Sequence, residues 1–242
     1  MLAPASMRNR SATLPLEDYL QTSRIFGSLS ATQLERIISN SSVRNLPSKT
    51  QIRIPTSQST QVHLLLSGLA KVSYLTRDGK QPILYFVNPD ELVGEQAIFH
   101  AHVSEDYVTT MEKCQVATMP ANVLRDLVLS DPVFSTAISE LISRRRMRSE
   151  SRTRQLLFLS NRERLTHLLL DLADQYGTGT VEELDLNVRL SHQDLANYIG
   201  STRETVTVVL GKMQLEGLLS VKRRQITLLD VRALAKSVER VR

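Results

Sequence analysis

The sequence predicts an α+β protein: an N-terminal β-roll of the jelly-roll kind, a long helix, and a C-terminal winged helix-turn-helix. Three observations carry this. Short apolar runs separated by turn residues fill positions 43–119, the pattern of a β-sandwich or roll. After Pro120 the apolar period becomes helical, and no Gly or Pro interrupts it from Val133 to Leu159. Residues Leu190–Leu219 then read as two helices around a tight turn, followed by a basic hairpin. The expected divisions are a flexible leader at 1–15, the β-roll at 16–130, a dimerisation helix at 131–160 and the winged domain at 161–242.

Taken in order, Leu16, Leu20, Ile25, Leu29, Leu34, Ile37 and Ile38 mark short helical segments before the strands. Gln61–Tyr74 and Gln81–Val87 are two apolar runs joined by Arg77-Asp78-Gly79-Lys80. Asp-Gly between such runs predicts a hairpin. Cys114, the one cysteine of the chain, excludes an intrachain disulfide and sits in an alternating stretch as a small core residue. Asp131-Pro132 predicts a helix start, with Asp capping and Pro at the first helical position. Phe134, Ile138, Leu141 and Ile142 begin an apolar stripe on that helix, and Leu156, Leu157 and Leu159 end it. Such a stripe must be buried, hence the expectation of a homodimer. Next come a helix over Arg164–Tyr176 ended by Gly177, a strand near 181–189, a two-stranded wing at Ser220–Leu229 and a last helix from Val231.

Composition bounds the function. The 242 residues are 41% hydrophobic and 23% charged, enough to bury a core. No apolar stretch approaches the ~18 residues of a membrane span, and the N-terminus lacks the apolar centre of a signal peptide. A cytoplasmic protein without membrane partners is expected. Charge is uneven: residues 1–130 carry 12 Lys+Arg against 11 Asp+Glu, and residues 131–242 carry 18 against 14. A basic C-terminal half suits a polyanion. No Gly-rich phosphate loop and no nucleophile–base grouping stands out, so neither an enzyme nor a cofactor is expected.

The segment Leu190–Leu219 decides the function. Ser191 caps its first helix, whose inner face is Leu195, Ala196 and Ile199. Gly200 makes the turn, where a positive φ costs glycine little. Ser201 or Thr202 caps the second helix, with Val206, Val209, Leu210 and Met213 inward and Arg203, Glu204 and Thr207 outward on the first turns. A recognition helix presents that turn to base edges in the major groove. Arginine pairs bidentately with guanine, and a carboxylate accepts from cytosine. Ser191, His192, Ser201 and Thr202 near the helix N-termini, and Lys222, Arg223 and Arg224 at the wing tip, are the expected phosphate contacts. Double-stranded DNA is the expected partner.

These residues resemble the CRP/FNR family of transcription regulators. The match runs from Ser191-His192-Gln193-Asp194-Leu195-Ala196 to Gly200-Ser201-Thr202-Arg203-Glu204-Thr205-Val206-Thr207, supported by Gly68, Asp78-Gly79-Lys80 and Gly94-Glu95. The resemblance implies a cyclic-nucleotide-binding-like roll that senses a small-molecule effector, dimerisation through the long helix, and activation beside a promoter with RNA polymerase as partner. The Leu190-Ser191-His192-Gln193 opening is similar to the nitrogen regulators of cyanobacteria. Where many members carry a second recognition-helix arginine, this chain has Val208.

In cyclic-nucleotide-binding relatives, Gly-Glu is followed about ten residues later by an Arg-Ser pair that holds the cyclic phosphate. Gly94 and Glu95 are present, but the later segment is Ser104-Glu105-Asp106-Tyr107. Acidic groups there repel a phosphate, so tight cyclic AMP binding is not expected. A 2-oxoglutarate site, implied by the nitrogen-regulator resemblance, retains Arg145 but lacks its second basic group; an effector-free roll is the other alternative. The remaining long-helix arginines, 144, 146, 148, 152 and 154, read as a solvated face. Gly94, His100, His102 and Glu105 approach a cupin metal motif, with a Glu spacing that is too short. A cupin-like metal enzyme fused to a DNA-binding tail is therefore the rival reading, and no metal is expected.

Overall fold

A computed structural model describes residues 15–55, 60–99, 105–180, 182–223 and 225–239. They form two compact units that meet between Met147 and Arg148. The division falls inside the long helix, so the helix is shared between the units.

The first unit opens with α1 (Leu16–Gln21) and α2 (Ala31–Ser39). Ser30 and Gln33 close a reciprocal capping box at the start of α2, satisfying two backbone N–H groups that a helix end leaves open. Eight strands follow: β1 (Ser42–Leu46), β2 (Gln51–Arg53), β3 (Gln61–Ser67), β4 (Ala70–Tyr74), β5 (Ile83–Val87), β6 (Glu91–Val93), β7 (Asp106–Thr110) and β8 (Cys114–Pro120), with α3 (Gln96–Phe99) between β6 and β7. They build two four-stranded antiparallel sheets, ordered β1-β8-β3-β6 and β2-β7-β4-β5. Leu65, Val93, Cys114 and Val116 from one sheet pack on Ala70, Val72, Val87 and Val108 from the other. Cys114 is a core residue, its thiol donating to the Leu69 carbonyl at 3.3 Å.

The Asp-Gly hairpin forms between β4 and β5, with Gly79 at φ 79°. The preceding run Gln61–Tyr74 is not one strand. It breaks at Gly68 (φ 88°), and its halves enter different sheets. A Cβ at Gly68 would stand 2.5 Å from the Lys113 carbonyl oxygen, so the corner excludes every other residue.

After α4 (Ala121–Ser130), α5 runs from Pro132 to Phe158, 27 residues. The Asp131 carboxylate accepts from the Val133 and Phe134 N–H groups at 3.0 and 2.9 Å, the cap the sequence predicts. Phe134, Ile138 and Leu141 sink into the core beneath α1, α2 and α4, with Phe134 5.6 Å from the Phe26 ring. This corrects the expected dimer stripe: its first three members are buried within their own chain. Ile142, Met147, Leu156, Leu157 and Phe158 stay exposed.

The second unit contains α6 (Asn161–Tyr176), β9 (Gly177–Gly179), β10 (Leu184–Leu186), α7 (His192–Ile199), α8 (Arg203–Leu215), β11 (Leu219–Lys222), β12 (Gln225–Leu228) and α9 (Val231–Glu239). Its sheet has the order β11-β12-β10-β9. The helix expected from Arg164 starts at Asn161, because Ser160 and Glu163 form a capping box. Gly177 ends α6 with an ordinary φ of −70°. It is not a left-handed cap: glycine is needed because a Cβ would meet the Ala173 carbonyl at 2.4 Å and Leu184 at 2.5 Å.

Candidate nucleic-acid interface and the interior of the roll

Helix α7 is fixed by its ends. Ser191 Oγ accepts from the Asp194 N–H at 3.1 Å, and Asp194 accepts in return from the Ser191 N–H at 3.1 Å. Both Ser191 donors are thus engaged by Asp194, which leaves them to the cap and not to a phosphate. Gly200 (φ 67°) turns the chain in the left-handed region. The Ser201 N–H closes the α7 end on the Ala196 carbonyl at 3.0 Å. Between the two candidate caps of α8, Thr202 is the one used: its hydroxyl accepts from the Thr205 N–H at 3.2 Å.

Leu195, Ala196 and Ile199 of α7 and Val206, Leu210 and Met213 of α8 are buried, while Val209 is half-buried. That packing turns Arg203, Glu204, Thr207 and Val208 outward. Among the described residues, neither Arg203 nor Glu204 is held in an ion pair. Thr207 donates to the Arg203 carbonyl at 2.9 Å, and His192 Nδ1 lies 2.8 Å from the same hydroxyl. Arg162 grips Glu216 with both terminal nitrogens, at 2.7 and 2.5 Å, bracing the far end of α8 against the start of α6.

At the wing, Lys222 of β11 pairs in register with Gln225 of β12. Lys222 and Arg223 are exposed, and Arg223 has a φ of 45°. A φ in the left-handed region favours glycine or asparagine, so an arginine there carries backbone strain. Arg224 lies outside the described residues.

The roll interior holds a second group of charges. Gly94 (φ 82°) precedes a buried Glu95. Arg145 Nη1 lies 2.6 Å from Glu95 Oε1, its Nη2 donates to the Leu92 carbonyl at 2.5 Å, and the guanidinium lies 4.7 Å from the centre of the Tyr85 ring. Burial works against the Arg145 charge, but Tyr85 and Glu95 outweigh it and hold its pKa above the ordinary value. Burial pushes the Tyr85 phenol up to about 12. Arg53, 9% exposed, pairs in register with the core residue Val108 and lies along the Gly94 backbone. His63, in register with Val93 and 3.0 Å from the Thr118 hydroxyl, has its pKa lowered to about 4 by burial first, then by Arg53 and Arg44. Asp106 is half-buried and Glu105 is exposed. Of the two acids expected at the effector site, Asp106 acts electrostatically on the Tyr85 phenol.

Arg53 and Tyr85 were not signalled by the sequence. Strict alternation in Gln51-Ile52-Arg53-Ile54 places the isoleucines inside. A register shift between Gln51 and Arg53 turns the arginine inward and leaves Ile54 49% exposed. Arg152 also departs from the expected solvated face, donating to the Tyr198 carbonyl at 2.5 Å and lying 4.4 Å from its ring centre. Arg144, Arg146, Arg148 and Arg154 are exposed. His100 and His102 of the metal motif lie outside the described residues. No group of three metal-ligating side chains occurs among the described residues, and none of their helices is long and apolar enough to cross a membrane.

Two family models match this chain: a Crp-like helix-turn-helix domain over residues 163–237 and a cyclic nucleotide-binding domain over residues 43–131. A CRP-like cAMP-activated global transcriptional regulator of Mycobacterium tuberculosis is 24% identical over 176 residues, covering 73% of this chain and 79% of the relative. The CRP-like protein Clp of Xanthomonas euvesicatoria is 26% identical over 215 residues, covering 84% and 91%. Among solved structures, the c-di-GMP responsive global regulator CLP of Xanthomonas campestris superposes with a TM-score of 0.71 at 25% identity, over 82% of this chain and 99% of that one. CooA of Carboxydothermus hydrogenoformans shares the fold at 19% identity, with a TM-score of 0.73 over 94% and 97%.

Proposed function

Because the chain belongs to the CRP/FNR family of DNA-binding transcription regulators, we propose that it reads a palindromic promoter site as a homodimer, with Arg203 and Glu204 as its base-reading residues. The observation that carries this is the first turn of α8: Thr202 caps it, its inner face is buried, and an exposed Arg-Glu is left without an ion pair among the described residues. Arg203 pairs with a guanine, Glu204 accepts from a neighbouring cytosine, and Thr207 and Val208 offer methyl groups to thymine. His192, Ser201, Thr202, Lys222, Arg223 and Arg224 contact phosphates and set register without reading sequence. The dimer forms in the cytoplasm through the exposed apolar side chains of α5, and promoter-bound protein activates by touching RNA polymerase. Protein chemistry alone performs this role; no cofactor or catalytic step enters it.

The roll senses a small molecule other than cyclic AMP. The relatives' names tie them to cyclic AMP and to c-di-GMP, but here the segment after Gly94-Glu95 has an acid, Asp106, where the resemblance calls for an arginine. Arg145 is engaged by Glu95 and the Leu92 carbonyl. That removes the remaining half of a 2-oxoglutarate clamp, so this dicarboxylate is not the effector we favour.

Binding-site selection on wild type and Arg203→Ala at fixed salt tests the central claim. Loss of preference at one base pair is expected, with a cost of about 1–3 kcal/mol on the selected site. An unchanged preference would mean that α8 is not the reading helix.

A further inference from the structure

The roll interior contains more buried charge than it neutralises. Arg145 and Glu95 answer one another across 2.6 Å. Arg53 has no such answer: its Nε is buried without a hydrogen-bond partner, and among the described residues no carboxylate forms an ion pair with it. Its neighbour His63 cannot serve as a counter-ion, because a neutral or protonated imidazole carries no negative charge. A guanidinium 9% exposed and left unpaired is expensive, since desolvation opposes the charge and nothing offsets it. A second orphan belongs to Glu95, the residue after the Gly94 backbone along which Arg53 lies. Glu95 uses Oε1 for Arg145, while its Oε2 is buried with no hydrogen-bond partner. Gly94 joins the two. A Cβ there would stand 3.2 Å from Arg53 Nη1 and 2.9 Å from the Gln61 carbonyl oxygen. Only glycine lets the Arg53 guanidinium lie along this backbone next to Glu95.

From this arrangement we infer that Arg53 anchors a small organic monoanion inside the roll, with a hydroxyl or amine of the same ligand donating to Glu95 Oε2. The inference rests on reading the roll as a sensor and names the chemistry it senses. The guanidinium comes from β2, not from the segment after Gly94-Glu95 where the resemblance puts the anion-binding arginine. One negative charge matches Arg53, the one unanswered cation of the roll interior among the described residues, and half-buried Asp106 opposes a second. The planar fork of Arg53 fits either a carboxylate or a phosphodiester.

The test is thermal melting of the full-length protein at constant ionic strength in chloride, acetate, glycolate or dimethyl phosphate. Wild type is expected to melt a few degrees higher in acetate or in dimethyl phosphate than in chloride, and the more effective of the two identifies carboxylate or phosphodiester chemistry. Arg53→Met is expected to lose that anion-specific shift, and Arg53→Lys, which keeps the charge without the fork, to keep part of it. Glycolate adds a hydroxyl to acetate and is expected to raise the melting point further. Equal shifts in the two would overturn the Glu95 contact. No shift in wild type, or the same shift in Arg53→Met, overturns the anchor. Should Arg53→Met not fold, Arg53→Lys decides, and a response undiminished from wild type overturns the proposal. The measurement contains no DNA, so its failure leaves the Arg203 reading untouched, and a failed site selection leaves this one untouched.

Discussion

His63 makes the roll acid-sensitive, and the size of the effect follows from its surroundings. Its side chain faces the roll interior, 7% exposed, beside Arg53 and Arg44, and its pKa falls from the ordinary 6.5 to about 4. Burial is the larger cause; the two arginines add to it. Above pH 6.5 the ring is neutral folded and unfolded, and it contributes no pH dependence. Below 6.5 the unfolded chain takes up a proton that the folded roll refuses, so stability drains away as pH falls from 6.5 toward 4. At about 1.4 kcal/mol per pH unit of difference, the full loss is about 3 kcal/mol. The assay is urea unfolding followed by circular dichroism at several pH values, on wild type and His63→Gln. Carboxylates titrate in the same range, so the difference between the two proteins is the readout. Glutamine retains a polar group for the Thr118 hydroxyl and cannot protonate. The variant is therefore expected to be close to wild type at pH 7 and to gain on it by about 3 kcal/mol near pH 4. Parallel pH curves would show that His63 titrates alike in both states and that the interior is wetter than its burial states.

Three further outcomes follow from the geometry. Arg145→Leu strands the Glu95 carboxylate in the roll and is expected to cost about 3–5 kcal/mol. Adding Glu95→Gln should recover much of that, which a double-mutant cycle of denaturation free energies measures. Two glycines of the DNA-binding unit should behave oppositely. Gly177→Ala drives a methyl into the Ala173 carbonyl and Leu184 and should destabilise by about 1–3 kcal/mol. Gly211→Ala, inside α8 with nothing within 4 Å of the added carbon, should raise stability by roughly 0.5–1 kcal/mol; thermal melting reads both. Arg223→Gly relieves the positive φ at the wing tip and should melt higher, yet bind specific and random DNA about equally worse. Its salt slope should fall by roughly 1, and a higher affinity at any salt would remove Arg223 from the phosphate contacts.

The DNA-binding surface was legible because its signals are local. Ser191 with Asp194, Gly200, and Thr202 with Thr205 are each closed by hydrogen bonds spanning a few residues, and sequence spacing encodes such bonds directly. The same holds for the Asp131 cap of α5 and for the Asp-Gly hairpin. What failed was non-local. The corner at Gly68 is imposed by the Lys113 carbonyl, 45 residues away along the chain by its number. The two apolar ends of α5 both read as one dimer stripe, yet Phe134, Ile138 and Leu141 are claimed by α1, α2 and α4, a partition that periodicity cannot reveal.

The charges of the roll show the same limit at its sharpest, and they bear on what the protein can sense. From sequence, Arg145 looked like the cation available to an effector, because it stands in a helix where the family resemblance expects one. Folding spends it: Glu95 answers its charge, the Leu92 carbonyl takes a donor and the Tyr85 ring covers its face. Arg53 carries no such signal, and strict alternation through Gln51-Ile52-Arg53-Ile54 assigns the inside to its isoleucine neighbours. The register shift on β2 brings Arg53 in and leaves Ile54 exposed, while Ile52 stays packed on the core. The cation on offer to a ligand is therefore set by which guanidinium the fold leaves unanswered, not by how many arginines the chain contains. Any effector that needs Arg145 must first separate it from Glu95 and so strand a buried carboxylate, a cost of several kcal/mol. A ligand that needs Arg53 meets a cation whose desolvation the fold has already borne, so its binding energy is not spent on breaking a pair.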